Sequence, residues 1–369
     1  MKKKIKGFGI MIKVLHIGEY VQGGVATYIK TLITRDLEFG IDNYLLMAEE
    51  KSEHVWNFPK NKITYYPYHR SLYSLIPALR AIQEHVKYIK PDIIFLHSSW
   101  AGMLTRIPLL FGKKNFRIIY NPHGWSFLMN VSIWRKRLYA LIERTLAWKT
   151  DLIINVSRYE YNCGIQYGMP QRKMKVIYTG IPDIMLPVSQ NIRFDADRIN
   201  ILFVGRFDQQ KGLDVLLKIF RKNFFSHLHL YVIGAPVISA STDDYHDDEN
   251  ITFLGWIKND QIGEYYLAAD AIIMPSRWEG FSIVALEAMR YGKAVLASDC
   301  TSLPEQVQNG VNGYLFSLND EHQLSAILQN LSSEELAAMG ERARKIYCEK
   351  FVADRMLDEF SVMYRYLSD

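Results

Sequence analysis

Short apolar runs recur along the chain, and most are followed by a turn rich in glycine or polar residues and then by a longer segment. The clearest runs are residues 12–17, 44–47, 91–97, 118–120, 152–157, 175–181, 199–204, 228–233, 251–254, 270–274 and 294–297. Runs of this kind, without alternation of polar residues, are typical of parallel strands buried on both faces. Strands that alternate with helical segments predict an α/β fold built on parallel sheets.

One strand–loop–helix unit carries more than packing residues. The run 270–274 is followed by breaks at Pro275 and Gly280, and Ser282 can cap a helix predicted over 283–291. Ligands of open α/β sheets bind beyond the carboxyl ends of the strands. The loop before this helix therefore lies where we expect a ligand.

Two carboxylates and three backbone amides supply candidate chemistry here. Glu287 lies among apolar residues, so we expect a helix that is apolar nearly all round and a buried carboxylate, which must be hydrogen-bonded or paired. The vicinal hydroxyls of a ribose would satisfy it, and so would a neighbouring arginine. Glu279 could accept hydrogen bonds from a second sugar. The free N–H groups of Phe281, Ser282 and Ile283 would favour a phosphate.

A second loop has matching chemistry. Residues 199–204 predict a strand, and residues 205–212 follow as a glycine-bounded loop before a helix that begins at Leu213. Arg206 can neutralise a diphosphate with its planar fork, and Lys211 can do so as a point charge. An exposed Lys-Gly pair is common, so this loop alone is moderate evidence.

Together the two stretches resemble a known family. Glu279 and Glu287 match the E-x7-E signature of retaining glycosyltransferases of the GT-B fold, in particular family 4 of the bacterial surface-polysaccharide type, and residues 205–212 match its G-R-x4-K-G motif. The resemblance runs over essentially the whole chain. It implies two Rossmann-like domains with parallel sheets that face each other across a cleft. It also implies a donor site formed by Arg206, Lys211, Glu279, Gly280, the 281–283 amides and Glu287.

The first half of the chain adds further candidates. His97 and His123 both fall at predicted strand ends; His97 is interpreted as a hydrogen-bonded structural residue. His123 with Gly124 matches the family's His-Gly motif, which implies a place beside the donor sugar. Gly23 and Gly24 form a turn before a helix predicted over 25–34. The resemblance places this turn near the donor phosphates, although a tight chain reversal explains it equally well.

Other positions match less closely. The loop after the 251–254 strand, with Gly255, would hold the base if the family pattern applies. Thr179 stands where the family commonly has Asn, which puts the contribution of that loop in doubt. Residues 300–303 replace the family's Gly-Gly turn near the donor sugar, and this departure weakens any inference about which sugar is transferred. The acidic segment 242–249 does not have metal-ligand spacing. We expect no metal and no cofactor other than the nucleotide-sugar co-substrate.

Length, cysteines and charge narrow the classes of protein. A chain of 369 residues suits two domains, predicted as 1–187 for the acceptor and 188–352 for the donor, with 353–369 as a helix that returns to the first domain. Three dispersed cysteines and no membrane-spanning run indicate a soluble, cytoplasmic protein. Residues 1–189 carry 27 Lys and Arg against 13 Asp and Glu, whereas the remainder carries 17 against 26.

The basic excess is dense between Lys113 and Lys149, where Trp134 and Trp148 are interleaved with Arg135, Lys136 and Arg137. This pattern favours an anionic membrane surface, peripheral to the inner face of the cytoplasmic membrane, over nucleic acid, for which no motif is present. An ordinary solvated basic face is the competing interpretation.

The sequence thus predicts a retaining hexosyltransferase that works in cell-surface polysaccharide synthesis, such as that of O-antigen or capsule. Its donor is a UDP-sugar, or alternatively a GDP-sugar, that carries a hexose or N-acetylhexosamine; its acceptor is a glycan or a polyprenyl-diphosphate-linked saccharide. Catalysis is assigned to His123, Glu279, Arg206 and Lys211. The alternatives are a nucleotide-sugar 2-epimerase of the same fold and an NAD-dependent oxidoreductase, against which the missing dinucleotide fingerprint argues.

Overall fold

The computed structural model describes residues 11–184, 192–223, 225–236, 245–258 and 261–368. The chain divides into two compact units, one formed by Met1–Gly180 with Ala353–Asp369 and the other by Ile181–Val352. The predicted boundary between residues 187 and 188 lies outside the described residues.

The first unit is built on a seven-stranded parallel sheet. Its strands are β1 Ile12–Gly18, β2 Ile41–Ala48, β3 Ile63–Tyr66, β4 Ile93–His97, β5 Arg117–Asn121, β6 Leu152–Asn155 and β7 Met174–Val176. They lie in the order β3-β2-β1-β4-β5-β6-β7. The helices between them are α1 Gly24–Leu32, α2 Asp36–Phe39, α3 Leu72–Ile89, α4 Ser99–Arg106, α5 Ile133–Leu146 and α6 Arg158–Gln166.

The second unit repeats this plan with six parallel strands: β8 Ile199–Val204, β9 Leu228–Ile233, β10 Ile251–Gly255, β11 Ala271–Met274, β12 Ala294–Ser298 and β13 Gly313–Phe316. Their order, β10-β9-β8-β11-β12-β13, is that of the doubly wound Rossmann fold. The helices are α7 Leu213–Lys222, α8 Ile262–Ala268, α9 Ile283–Arg290, α10 Leu303–Gln306, α11 Glu321–Gln329 and α12 Ser333–Lys350.

The apolar runs form strands because helices cover both faces of each sheet. Every residue of β4, β11 and β12 is buried, which is why these segments contain no polar alternation. Two short strands, β3 and β13, do not stand out in the hydrophobic pattern. β7 ends at Val176, so the segment 175–182, which was predicted to be a strand, is one only at its start.

The last helix, α13 Ala353–Ser368, belongs to the first unit. Phe360 packs against Phe95 of β4 with ring centroids 5.6 Å apart. The Gly180 N–H donates to the sulfur of Met356 over 3.3 Å. The chain therefore returns to the first unit after completing the second.

The strand order identifies where a ligand would bind in each unit. The order reverses between β1 and β4 in the first sheet and between β8 and β11 in the second. At such a switch point the flanking loops diverge to opposite faces and leave a crevice at the carboxyl ends of the strands. These two points are therefore the expected ligand sites of the two units.

Candidate functional site

Two loops meet at the switch point of the second unit, one after β8 and one after β11. Gly212 has a φ of +68°, and a Cβ there would lie 1.9 Å from the carbonyl oxygen of Pro275. A Cβ on Gly234 would lie 1.8 Å from the carbonyl oxygen of Gly205. Only glycine permits such close approach of backbone to backbone, so Gly212 lets the loops after β8 and β11 meet, and Gly234, directly after β9, packs against the loop after β8.

A buried ion pair joins the two loops. Lys211 Nζ lies 2.6 Å from Glu279 Oε1, and the two side chains are only 16% and 7% exposed. The same carboxylate oxygen accepts a hydrogen bond of 2.8 Å from Ser276 Oγ. Among the described residues, Glu279 Oε2 has no hydrogen-bond partner. Glu279 is thus anchored on one side and can accept a hydrogen bond on the other.

The second cation of the site, Arg206, is held less tightly. One guanidinium nitrogen lies 2.9 Å from Asp208 Oδ2 and donates to Gln210 Oε1 over 3.2 Å, and the side chain is 38% exposed. Asp208 Oδ1 accepts the backbone N–H of Lys211 at 3.0 Å. Asp208, which the motif leaves as a variable position, therefore shapes the loop and orients Arg206.

Arg277 fastens the loops from the outside. Its guanidinium makes two hydrogen bonds to Asp214, of 2.8 and 2.6 Å, and its backbone N–H donates to Gln210 O at 2.7 Å. The guanidinium holds the pKa of the Asp214 carboxyl below its usual value. Gln210 Nε2 donates in turn to Trp278 O at 3.0 Å. These hydrogen bonds hold in place the loop that carries Arg206 and Lys211.

Glu287 lies on α9, which begins at Ile283 as predicted and is capped by the Ser282 hydroxyl. The residues of α9 are apolar apart from Glu287 and Arg290, as predicted, but the helix is not buried all round: Ile283, Val284 and Glu287 are partly exposed. Tyr266 donates a hydrogen bond of 2.9 Å to Glu287 Oε2.

Loss of water around the Glu287 carboxyl raises its pKa. Pairing with an arginine, the alternative left open by the sequence, does not occur in the described part of the chain: Glu287 makes no ion pair, and Arg290 Nη1 donates instead to Pro182 O at 3.1 Å. Glu287 therefore retains an oxygen, Oε1, that can accept from a ligand.

One predicted phosphate donor is already engaged. Ser282 N–H donates to Gln306 Oε1 at 3.0 Å, and Gln306 Nε2 donates back to Ser282 O at 2.9 Å. The expectation that this amide is free is wrong because α10 brings a glutamine side chain against the start of α9. The roles of the Phe281 and Ile283 amides stay predictions.

Sequence reasoning missed the residues that hold the Glu279 backbone. The Glu279 N–H donates to Thr301 Oγ1 at 2.8 Å, and Ser302 Oγ donates to Glu279 O at 3.3 Å. Thr301 has a φ of +46°, a conformation that favours glycine. The departure at 300–303 was visible in the sequence. Its consequence, a hydroxyl that bonds the catalytic candidate, was not.

The two other glycines of the predicted donor site differ in setting. Gly255 ends β10 with a φ of +70°, is exposed, and accepts the Gly234 N–H at 2.9 Å. Gly280 is partly exposed directly after Glu279. Both lie at carboxyl ends of strands or just beyond them. Their contribution to ligand binding stays a prediction.

The switch point of the first unit holds three histidines, and Glu19, directly after β1, forms an ion pair with Arg70. His123 follows β5 with a φ of +50°, and its Nε2 lies 3.0 Å from His97 Nδ1. His97 Nε2 lies 3.0 Å from His16 Nδ1, and His16 Nε2 lies 2.9 Å from Asn43 Oδ1. The interpretation of His97 as a buried, hydrogen-bonded residue fits this arrangement. His16, in the middle of a strand, gave no signal in the sequence.

Burial keeps this histidine cluster neutral. It lowers the pKa of His16 to about 4 and that of His123 to about 3, and it holds the pKa of His97 well below its usual value. His16 and His97 are buried, whereas His123 is partly exposed. The cluster can therefore offer a neutral imidazole, but no cation, to a ligand at neutral pH.

The predicted glycine turn of the first unit is present and open. Gly23 has a φ of +54° and precedes α1, which begins at Gly24, and both residues are exposed. A Cβ at Gly23 would meet no atom within 4 Å. Backbone conformation, rather than close packing, therefore accounts for Gly23, and its role toward a ligand stays a prediction.

The described residues contain neither a candidate metal site nor a membrane-spanning helix. No cluster of three or more His, Cys, Asp and Glu side chains in these ranges could hold a metal ion. None of the helices in the described part of the chain combines the length and apolar character needed to cross a bilayer. Of the acidic segment predicted not to bind metal, residues 242–244 lie outside the described residues.

Two doubly wound parallel sheets, in two units of one chain, are the architecture of the GT-B fold. The family comparisons agree. The model for glycosyltransferase family 4 matches residues 22–183, and that for glycosyl transferases group 1 matches residues 188–346. The chain belongs to the glycosyltransferases that combine these two domains.

Particular relatives are consistent with this assignment. The chain is 34% identical over 364 residues to an uncharacterized 41.2 kDa protein in the cps region of Klebsiella pneumoniae, covering 96% of this chain and 99% of the relative. The fold of the present chain is similar to that of sucrose-phosphate synthase from Thermosynechococcus elongatus, with a TM-score of 0.83 and 18% identity. The match covers 96% of this chain and 99% of the synthase chain. The fold is also similar to that of Anabaena HepE in complex with UDP and glucose, with a TM-score of 0.79, 17% identity, and coverage of 96% and 100%.

Proposed function

We propose that this protein transfers a hexose or N-acetylhexosamine from a nucleotide-sugar to a saccharide acceptor, with retention of anomeric configuration. One observation carries the proposal. The Lys211–Glu279 pair, Arg206 and Glu287 all belong to the loops and helix that follow β8 and β11, at the switch point of the second sheet. Cations for a diphosphate and carboxylates for hydroxyls are thus gathered where such a sheet binds ligands.

The charges of these groups indicate which part of the donor each one binds. Arg206 and Lys211 bind the diphosphate and stabilise the negative charge that develops on it as the glycosidic bond breaks. Lys211 can do this while it remains bonded to Glu279, since an ammonium has three N–H donors. Glu287, through its unbonded Oε1, binds the ribose.

Glu279 is assigned to the transferred sugar. Its Oε1 is held by Lys211 and Ser276 and its Oε2 can accept from a sugar hydroxyl. A carboxylate anchored in this way orients the sugar rather than attacking it. We propose that the acceptor hydroxyl attacks on the face from which the phosphate departs and that the departing phosphate takes the proton.

A uridine nucleotide is favoured over a guanosine nucleotide. The structure of HepE with UDP and glucose, to which this fold is similar, supports UDP. The relative in a cps region supports a role in surface-polysaccharide synthesis. The acceptor is then a glycan or a saccharide linked to polyprenyl diphosphate.

The surface of α5 supports an acceptor held at a membrane. The helix exposes Ile133, Trp134, Leu138 and Leu141, and Trp148 beyond its end is 85% exposed. Arg135 and Arg137 are exposed on the same helix, and the Arg137 guanidinium lies 5.5 Å from the Trp134 ring centre. Apolar and basic side chains on one helix are typical of peripheral binding to anionic lipid.

Part of the basic cluster predicted from sequence is internally engaged. Lys114 and Arg117 pair with Asp151, and Lys149 donates to Gly112 O at 2.9 Å. The charge available to a lipid surface is therefore centred on α5. We propose peripheral, salt-sensitive association of the first unit with the cytoplasmic leaflet.

A donor screen tests the proposed activity. Purified protein is incubated with UDP- and GDP-sugars and a membrane-lipid extract as acceptor source, and release of UDP or GDP is measured. Release from a UDP-sugar that depends on acceptor, with an α- or β-product that matches the donor, supports the proposal. Conversion of the donor to its 2-epimer without acceptor would instead identify the epimerase alternative.

A further inference from the structure

A continuous hydrogen-bonded chain connects Asn43, His16, His97 and His123 in the first unit. The three links are 2.9 Å from Asn43 Oδ1 to His16 Nε2, 3.0 Å from His16 Nδ1 to His97 Nε2, and 3.0 Å from His97 Nδ1 to His123 Nε2. His16 and His97 lie on β1 and β4, the strands that flank the switch point. The chain thus runs from the buried interior of the sheet to its partly exposed, ligand-binding edge.

The terminal asparagine sets the direction of every link. A neutral imidazole has one N–H donor and one acceptor nitrogen, and a carbonyl oxygen can only accept. Because Asn43 presents Oδ1, His16 donates from Nε2 and its Nδ1 accepts. His97 must then donate from Nε2 and accept at Nδ1, and His123 must donate from Nε2. Each ring therefore carries its proton on Nε2, and Nδ1 of His123 is left as a bare acceptor.

The arrangement requires all three rings to be neutral. A protonated ring in the middle of the chain would set two N–H groups against one another at one link and break it. Burial removes this possibility, since it lowers the pKa of His16 to about 4 and that of His123 to about 3. The direction of the chain is consequently stable at neutral pH.

Several contacts fix His123, the last residue of the hydrogen-bonded chain. His123 has a φ of +50°, an uncommon conformation for a residue with a side chain, and its N–H is held at 2.9 Å by Asn121 Oδ1. The ring of Tyr28 meets its ring edge-on, with centroids 4.8 Å apart. Among the described residues, nothing bonds to Nδ1 of His123. Strain retained at a strand end is typical of functional positions.

We infer that Asn43, His16 and His97 are positioning residues that fix the Nε2–H tautomer of His123, so that its Nδ1 accepts a hydrogen bond from a hydroxyl of the transferred sugar. The inference rests on the proposed function for its ligand, but the tautomer itself is a property of the free protein. His123 then acts as a hydroxyl acceptor and not as a proton donor. A donor that lacks the bonded hydroxyl should be used less well.

The first experiment measures the tautomer without substrate. A long-range proton–nitrogen correlation spectrum of the ¹⁵N-labelled full chain distinguishes protonated from bare ring nitrogens. We expect a protonated Nε2 and a bare Nδ1 for His123 at pH 7. A protonated Nδ1 would mean that Asn43 presents its amide nitrogen and that the chain runs the other way, which would overturn the inference.

The second experiment removes the group that sets the direction. In Asn43→Leu, which is close in size, His16 has no acceptor and both directions become comparable, so the His123 spectrum should show both tautomers. Asn155→Leu is the matched control: Asn155 is a buried asparagine of the same sheet that bonds Trp125 Nε1 at 3.2 Å. An unchanged His123 tautomer in Asn43→Leu, or an equal change in Asn155→Leu, would contradict the positioning role.

Kinetics then separate this inference from the proposed function. Asn43→Leu should lower kcat/KM for the nucleotide-sugar about three- to tenfold, the size of one neutral hydrogen bond, and leave the affinity for free UDP unchanged. Equal loss of UDP affinity would indicate general damage and overturn the inference. If wild-type protein has the expected tautomer but uses no nucleotide-sugar, the proposed function fails while the assignment of the tautomer stands.

Discussion

The switch points of the two sheets occupy the same place in the fold but differ in electrostatic character. In the second unit, Arg206, Lys211, Glu279 and Glu287 bring ionisable groups together, and Lys211 with Glu279 forms an ion pair that is largely out of water. In the first unit, three neutral histidines lie at the equivalent position, and the loop after β1 adds the Glu19–Arg70 ion pair. The first unit therefore offers neutral imidazoles as hydrogen-bonding groups, whereas the second unit offers cations and carboxylates.

The contrast also shows how each unit avoids the cost of burying polar groups. A buried ion needs an opposite charge and further hydrogen bonds, which Ser276 and Lys211 supply to Glu279. A buried histidine avoids that cost by losing its proton and finding a neutral partner. Changes at the two sites should therefore have different consequences.

Removal of Lys211 should have the largest effect. Lys211→Ala takes away a cation proposed to stabilise the leaving diphosphate and leaves Glu279 buried without its partner. We expect kcat/KM to fall about 100- to 1000-fold, as for the loss of one preorganised donor, and Arg206→Ala to act in the same direction. Lys218→Ala, which removes a surface lysine paired with Glu321, is the control. Activity within twofold of wild type in Lys211→Ala would remove the cation from the mechanism.

Acid should destabilise the histidine unit more than the charged one. The folded pKa of His16, about 4, lies below its unfolded value of 6.5, so the unfolded chain binds more protons between these values and stability falls as the pH drops through this window. From pH 7 to pH 5 this amounts to about 2 kcal/mol for His16 alone.

Hydrogen exchange of the β1 and β4 amides, compared with those of β8 and β11, measures this difference. We expect a larger loss of protection in the first unit, reduced in His16→Phe. Equal loss in both units would show that the histidine cluster does not control the acid sensitivity.

The proposed binding of the basic α5 surface to anionic lipid is a further difference between the two units. Loss of one exposed arginine should weaken association with anionic vesicles by about 1 kcal/mol, and salt should screen what remains. Co-sedimentation of Arg135→Ala and Arg137→Ala with anionic and neutral vesicles, at low and high salt, tests this. Lys222→Ala in the second unit is the control. Equal partitioning of wild type to both vesicle types would leave α5 as ordinary solvated surface.

The smallest expected effect is that of a chelator. If Arg206 and Lys211 supply the positive charge for the diphosphate, EDTA should change the rate of UDP release by less than twofold. The assay is run with EDTA alone and after addition of excess Mg²⁺. Complete loss that Mg²⁺ reverses would show that the protein cations are insufficient.

The sequence predicted the fold better than the details of the site. The uninterrupted apolar runs identified most strands, and the caps placed α9 to within a residue. Both succeeded because strand burial and helix capping depend on residues that are close together in the sequence. The Lys211–Glu279 pair, the Thr301 bond to Glu279 and the Ser282–Gln306 exchange could not be predicted. They join residues more than 20 positions apart, and their geometry depends on how the loops pack.

The same limit explains the histidine chain. His16 and Asn43 lie on separate strands, and neither belongs to a motif, so only the parallel pairing of β1 with β2 and β4 brings them into line with His97. His123 was found because it belongs to a short local motif. Short-range signals thus indicated where the ligand lies, and the structure was needed to identify its supporting residues.

The assignment of the second unit to nucleotide binding depends on whether Glu287 binds the ribose. Affinities for UDP and for 2′-deoxy-UDP are measured by calorimetry for wild type and Glu287→Ala, with Glu334→Ala, an exposed glutamate of α12, as the control. If Glu287 binds the ribose, wild type and the control should prefer UDP by about tenfold, the size of a hydrogen bond to a charged group, and Glu287→Ala should lose the preference. The same preference in all three proteins would contradict the assignment of this site to the nucleotide.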